Sequence, residues 1–99
     1  MPQKAFKLFE NQTANGDSEV FDVDETAREY ALVRVYGTFD GAQVQASADF
    51  DESGVFCTIK DGLWDDEEDV KQVYLRPGVQ FKLTISTAGA STDLNAELL

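Results

Sequence analysis

An all-β fold is predicted for this chain: an antiparallel β-sandwich, jelly-roll or immunoglobulin-like, of seven or eight short strands. Three observations predict it. Apolar and polar side chains alternate with a two-residue period along much of the sequence, whereas helical periodicity is hard to find. The alternating segments are separated by Gly, Asp, Asn and Pro turn residues at hairpin spacing. Finally, 99 residues with 42 % hydrophobic content make one domain, residues 1–99. Its apolar rows need a second sheet to cover them.

Ala5-Phe6-Lys7-Leu8-Phe9 reads as a short edge strand, followed by a polar loop with an Asn15-Gly16 turn. Residues 20–23 predict a second short strand with Val20 and Phe21 as apolar contributors. Residues 24–29 form either one helical turn or a charged loop. From Tyr30 onward, Ala31, Val33 and Val35 point one way while Leu32, Arg34 and Tyr36 point the other. Asp40-Gly41 then predicts a tight two-residue hairpin, which needs positive φ at both central positions. On the return, Ala42, Val44, Ala46, Ala48 and Phe50 share one face, and Gln43, Gln45, Ser47 and Asp49 the other. The small alanines predict close approach of the two sheets.

A turn at 51–54 leads into a strand whose buried row is expected to be Val55, Cys57 and Ile59, ended by Asp61-Gly62. Leu63 and Trp64 precede an acidic loop at 65–69. Residues 71–75 read as a strand stopped by Arg76-Pro77-Gly78. Val79, Phe81, Leu83 and Ile85 alternate with Gln80, Lys82, Thr84 and Ser86. After a turn at 87–90, Thr92, Leu94, Ala96 and Leu98 oppose Asp93, Asn95 and Glu97, which ties the C-terminus into the sheet. The predicted interior is Val33, Val35, Val44, Ala46, Ile59, Phe81, Leu83, Ile85, Leu94 and Ala96.

Charge and composition exclude several functions. The 19 acids against 8 bases give a formal −11, which opposes binding to nucleic acid or to an anionic membrane. No apolar stretch approaches the roughly 20 residues of a membrane span. The first residues lack the apolar core of a secretory signal. Histidine is absent and Cys57 is the sole cysteine, so histidine catalysis, histidine metal sites and an internal disulfide are ruled out. Cys57 reads as a small buried core residue. The seven glycines are dispersed as turn residues rather than gathered into a phosphate loop. Asp61, Asp65, Asp66, Glu67 and Asp69 offer the hard oxygens calcium prefers, without the spacing of the helix-loop-helix site. The expectation is a protein that is not an enzyme and uses no cofactor and no metal.

Binding residues are sought instead among exposed aromatic and apolar positions. Trp64 is either a core anchor beside Leu63 or an interface anchor with an acidic rim to orient a basic partner. Leu32 and Tyr36 lie opposite the Val33/Val35 row and form an exposed apolar patch if that row faces the core. The candidate interface is therefore Leu32, Tyr36, Trp64, Asp65 and Asp66.

Residues 30–44, with the Asp40-Gly41 turn, and residues 75–92, with the Leu75-Arg76-Pro77-Gly78 corner and the Thr87–Thr92 turn, resemble a group of small β-rich virion proteins of tailed bacteriophages. The resemblance spans roughly residues 30–98. Where such proteins often carry tryptophan after the second turn, Ser53-Gly54, this chain has Phe56. The resemblance implies a head decoration or cement protein on the outer surface of the phage particle, made in the bacterial host cytoplasm. Its partner would be the major capsid protein or another virion protein, with a homo-oligomer possible. Neck, tail or fibre roles belong to the same class. A carbohydrate- or receptor-binding module and an acidic inhibitor that mimics nucleic acid are the competing readings.

Overall fold

The computed structural model describes residues 6–22, 30–49, 53–74 and 79–98. Nine strands are present among them: β1 (Phe6–Gln12), β2 (Gly16–Asp17), β3 (Phe21–Asp22), β4 (Tyr30–Thr38), β5 (Gln43–Asp49), β6 (Cys57–Asp65), β7 (Asp69–Tyr74), β8 (Gln80–Ser86) and β9 (Asp93–Leu98). One sheet has the order β1-β9-β4-β7, the other β2-β8-β5-β6, with β3 also paired to β8. All pairs are antiparallel.

The two-residue strands β2 and β3 lie one after the other along β8, at Ile85/Thr84 and at Phe81/Gln80. Together they make one interrupted edge strand. With that merger the nine strands become eight positions, four per sheet. Their chain order is 1-8-3-6 in one sheet and 2-7-4-5 in the other. This is the strand order of a jelly roll, the first of the two predicted topologies.

Alternation explains the core. Every predicted interior residue is fully buried except Ile59, which is half-buried and packs against the cluster. Leu8, Phe9, Phe39, Ala42, Trp64, Val73, Val79 and Leu98 join them between the sheets. Phe21 contributes from the interrupted edge, its ring set edge-on to Phe6 at 4.9 Å between centroids. Val20, expected beside it as a strand residue, precedes β3 and is exposed.

Four sequence expectations are corrected. Asp40-Gly41 has the expected positive φ values of 50° and 84°. Its turn nevertheless makes no hairpin, because β4 and β5 belong to different sheets and the turn arches between them. Turn chemistry specifies local chain reversal, not the partner strand. Second, Val55 and Cys57 are exposed rather than buried. They lead into and begin β6, an edge strand. Third, Asp61-Gly62 does not end that strand. Thr58 pairs with Ser47 and Leu63 with Gln45, so residues 59–62 bulge opposite Ala46 alone. Asp61 takes a φ of 63° there, and the bulge lets Gly62 and Trp64 turn inward. Fourth, the acidic run is no single loop: Asp65 ends β6 and Asp69 begins β7. The predictions for residues 24–29, Phe50, the Pro77-Gly78 turn and Leu99 lie outside the described residues.

Candidate functional site

The outer face of the β1-β9-β4-β7 sheet carries the most distinctive arrangement of exposed side chains. β4 lies between β9 and β7. Because Val33 and Val35 face the core, Leu32, Arg34 and Tyr36 must face out. Register then decides their neighbours. Arg34 sits opposite Glu97 on β9 and opposite Val70 on β7, while Tyr36 sits opposite Asn95.

One carboxylate organises this face. Arg34 Nη2 donates to Glu97 Oε1 at 3.0 Å, and the Tyr36 hydroxyl donates to the same oxygen at 2.9 Å. The Arg34 guanidinium also lies over the Tyr36 ring, 4.5 Å from its centroid. The Tyr36 hydroxyl, followed by Arg34, holds the Glu97 carboxyl below its ordinary range. Reciprocally, the bond to Glu97 raises both the Tyr36 phenol and the Arg34 guanidinium above theirs. Arg34, Tyr36 and Glu97 thus form a preset polar unit.

Around it lie apolar side chains and acids. Leu32 and Val70 are 45 % and 46 % exposed. An open groove of about 440 Å³ is lined by Arg34, Val35, Tyr36, Glu68, Asp69 and Val70. Its acidic wall is fixed by the backbone: Gly37 N–H donates to Glu68 Oε2 at 3.3 Å, and Val70 N–H to Asp69 Oδ1 at 2.8 Å.

The structure brings together only part of the predicted interface. Leu32 and the half-buried Tyr36 share the outer face. Trp64 does not join them, being 1 % exposed in the core with Nε1–H donating to the Asp69 carbonyl at 3.0 Å. Its interface reading is withdrawn. Asp65 and Asp66 are exposed at the β6–β7 turn. There Asp65 Oδ1 accepts from Gln43 Nε2 at 3.1 Å and Asp66 Oδ1 from Gly41 N–H at 2.8 Å. Among the described residues no three His, Cys, Asp or Glu side chains are grouped to hold a metal ion, so the calcium-ligand set does not assemble.

Arg34, Glu97 and Val70 were missed from sequence. Alternation already put Arg34 on the Leu32/Tyr36 row and Glu97 on the outer row of β9. Their meeting depends on the β4–β9 register, which joins residues 63 apart in sequence. Comparison of the chain with protein-family models, with curated proteins and with solved structures finds no match.

Proposed function

We propose that this protein is a non-enzymatic structural component of a tailed-phage virion, a capsid decoration or cement protein. Its adhesive surface is the outer face centred on Leu32, Tyr36 and Val70. The carrying observation is the pair of exposed aliphatic side chains beside the preset Arg34–Tyr36–Glu97 unit. A partner docking here covers apolar area without first ordering long polar side chains, which lowers the entropic cost of binding. Jelly rolls recur in viral capsid proteins, which agrees with the resemblance of residues 30–98. Fold alone does not assign the role.

The same observations weigh against a carbohydrate-binding reading built on Trp64 or Tyr36. A sugar-stacking platform needs an exposed aromatic face. Trp64 is buried, and the Tyr36 ring is covered by Arg34.

Binding of the purified protein to undecorated phage heads, and separately to tails, tests the proposal. Leu32→Ala, Tyr36→Ala and Val70→Ala are compared with the wild type after circular dichroism confirms that each is folded. At least one substitution is expected to weaken head binding by more than about 1 kcal/mol, the mark of an interface anchor. Binding to tails alone moves the role to the neck or tail. A folded wild type that binds neither structure overturns the virion reading.

A further inference from the structure

The two sheets end in four strand edges: β1 and β7 on one, β6 and the interrupted β2/β3 on the other. Three carry features that obstruct pairing with another chain. β1 has two register irregularities and bears Glu10. β2 and β3 are two residues long, and β2 bears the exposed Asp17. β7 begins at Asp69, and a two-fold axis through its Lys71 would set like charges opposite each other.

The first half of β6 differs. Val55 is 65 % exposed, Cys57 and Thr58 are exposed, and Ile59 is half-buried. Residues 53–60 contain no carboxylate in a chain with 19. The row is inward-facing in its pleat, because Cys57 pairs with the fully buried Ala48 and Ile59 packs on the core. It is an apolar row at the open margin of the core.

We propose that this edge binds a second copy of the chain, as an antiparallel strand pair about a two-fold axis through Cys57. That register opposes Cys57 to Cys57, Phe56 to Thr58 and Val55 to Ile59; it stops there, because Gly54 has a φ of 86° and donates its N–H to Asp49 Oδ2 at 2.7 Å. Apolar residues meet apolar residues, and no like charges stand directly opposite. Two molecules of formal charge −11 repel each other over most of their surface, so contact is favoured where acids are absent. The bulge at 59–62 ends the ladder after a few residues. Because both copies use the same edge, the contact closes as a dimer and leaves no free copy of that edge for a fibre. This inference does not depend on the virion reading.

Sedimentation equilibrium of the reduced protein, from micromolar to millimolar concentration, is the first measurement. A monomer–dimer equilibrium is expected. Val55→Lys, at an exposed position, is expected to weaken the dimer by about tenfold or more without lowering the melting temperature. Diamide then tests the register. In either kind of antiparallel pair the opposed Cα atoms are within disulfide range. Two Cys57 thiols lose two protons and two electrons to diamide as the S–S bond forms. Cross-linking through Cys57 should exceed by about tenfold or more that of a Cys57→Ser, Ser91→Cys control, whose new thiol sits in the exposed β8–β9 turn. A chain that stays monomeric throughout overturns the proposal. So does a dimer insensitive to Val55→Lys, or one in which the two thiols cross-link equally fast.

Discussion

Replacing Trp64 tests how the β6–β7 turn is joined to the core. The indole is buried in the sheet-to-sheet core, and its only polar group donates to the Asp69 carbonyl at 3.0 Å. Trp64→Phe keeps the six-membered ring and removes the pyrrole portion with its N–H. Loss of the hydrogen bond costs about 1 kcal/mol net. Asp69 is exposed at the start of β7, so water can reach its carbonyl and keep that cost near this value. Losing roughly 40 Å² of buried apolar surface at about 25 cal/mol/Å² adds about 1 kcal/mol. The expected destabilisation is therefore about 2 kcal/mol, against about 3–5 kcal/mol for Trp64→Ala. Either is a large share of the roughly 5–15 kcal/mol that holds a domain of this kind together. Urea unfolding followed by far-ultraviolet circular dichroism measures both, since the substitution deletes the only tryptophan. With an unchanged m-value, the midpoint shift gives the energy. A cost below about 0.5 kcal/mol for Trp64→Phe would refute the reasoning, because the hydrogen bond alone should exceed it.

Three further predictions concern the backbone and the charges. Gly37 has a φ of 122°, and a Cβ there would collide with the Asp93 carbonyl oxygen on β9. Gly37→Ala should therefore destabilise the fold by more than about 1 kcal/mol, and an unchanged melting temperature would refute this. Glu97 titrates below its ordinary range because Tyr36 and Arg34 stabilise its charged form. Its contribution is fully present above the unfolded carboxylate pKa of about 4.3 and is lost as pH falls through the lower folded value. Glu97→Gln should flatten that part of the acid limb in a pH series of urea midpoints, and parallel curves would show the carboxylate to be uncoupled from folding. Asp66 has a φ of 55° and accepts the Gly41 N–H. Asp66→Asn keeps an acceptor and a side chain that tolerates this conformation, whereas Asp66→Ala loses both and should cost about 1–2 kcal/mol; equal urea midpoints for the two variants would count against the tie.

Alternation made the core legible wherever a strand lies inside its sheet. β8 and β9 show the clean rows that their sequences predict, down to the buried Thr92 just before β9; on β5 the predicted inner row is buried, but Ser47 and Asp49 on the opposite row are buried as well. It failed on β6, where the sequence continues to alternate but one edge is open. There Cys57 is exposed although its partner Ala48 is buried. Nothing local in residues 55–60 records which strand will be an edge, since that depends on the order of all the strands. The same limit governed the Asp40-Gly41 turn, correct in conformation and wrong in what it connects. At the candidate face, Leu32 and Tyr36 were readable from β4 alone. Glu97 was not, because the contact that gives it meaning is set by a register between distant segments.

The acids divide the molecule into a fixed rim and an available face. At one end of the sandwich, the connections between successive strands are tied to one another by side chains. Asn15 Oδ1 accepts from Ala88 N–H at 2.8 Å, Asp40 Oδ2 from Ser91 N–H at 2.8 Å, and Asp66 Oδ1 from Gly41 N–H at 2.8 Å. Thr92 Oγ1 donates to the Phe39 carbonyl at 2.7 Å and accepts from Gly89 N–H at 2.8 Å. These polar side chains hold turns in shape, so a partner that recruited them would have to break bonds already made. Their charge still acts at a distance, steering a basic surface toward the molecule at low salt. Adhesion needs groups whose burial gains more than it disrupts. On the neighbouring face, Leu32 and Val70 are exposed apolar side chains, while Arg34, Tyr36 and Glu97 already satisfy one another. On the proposed reading, the rim sets the approach and the face supplies the hold. A salt series should separate the two, changing association rates for charge-neutralised variants and dissociation rates for Leu32 and Val70 variants.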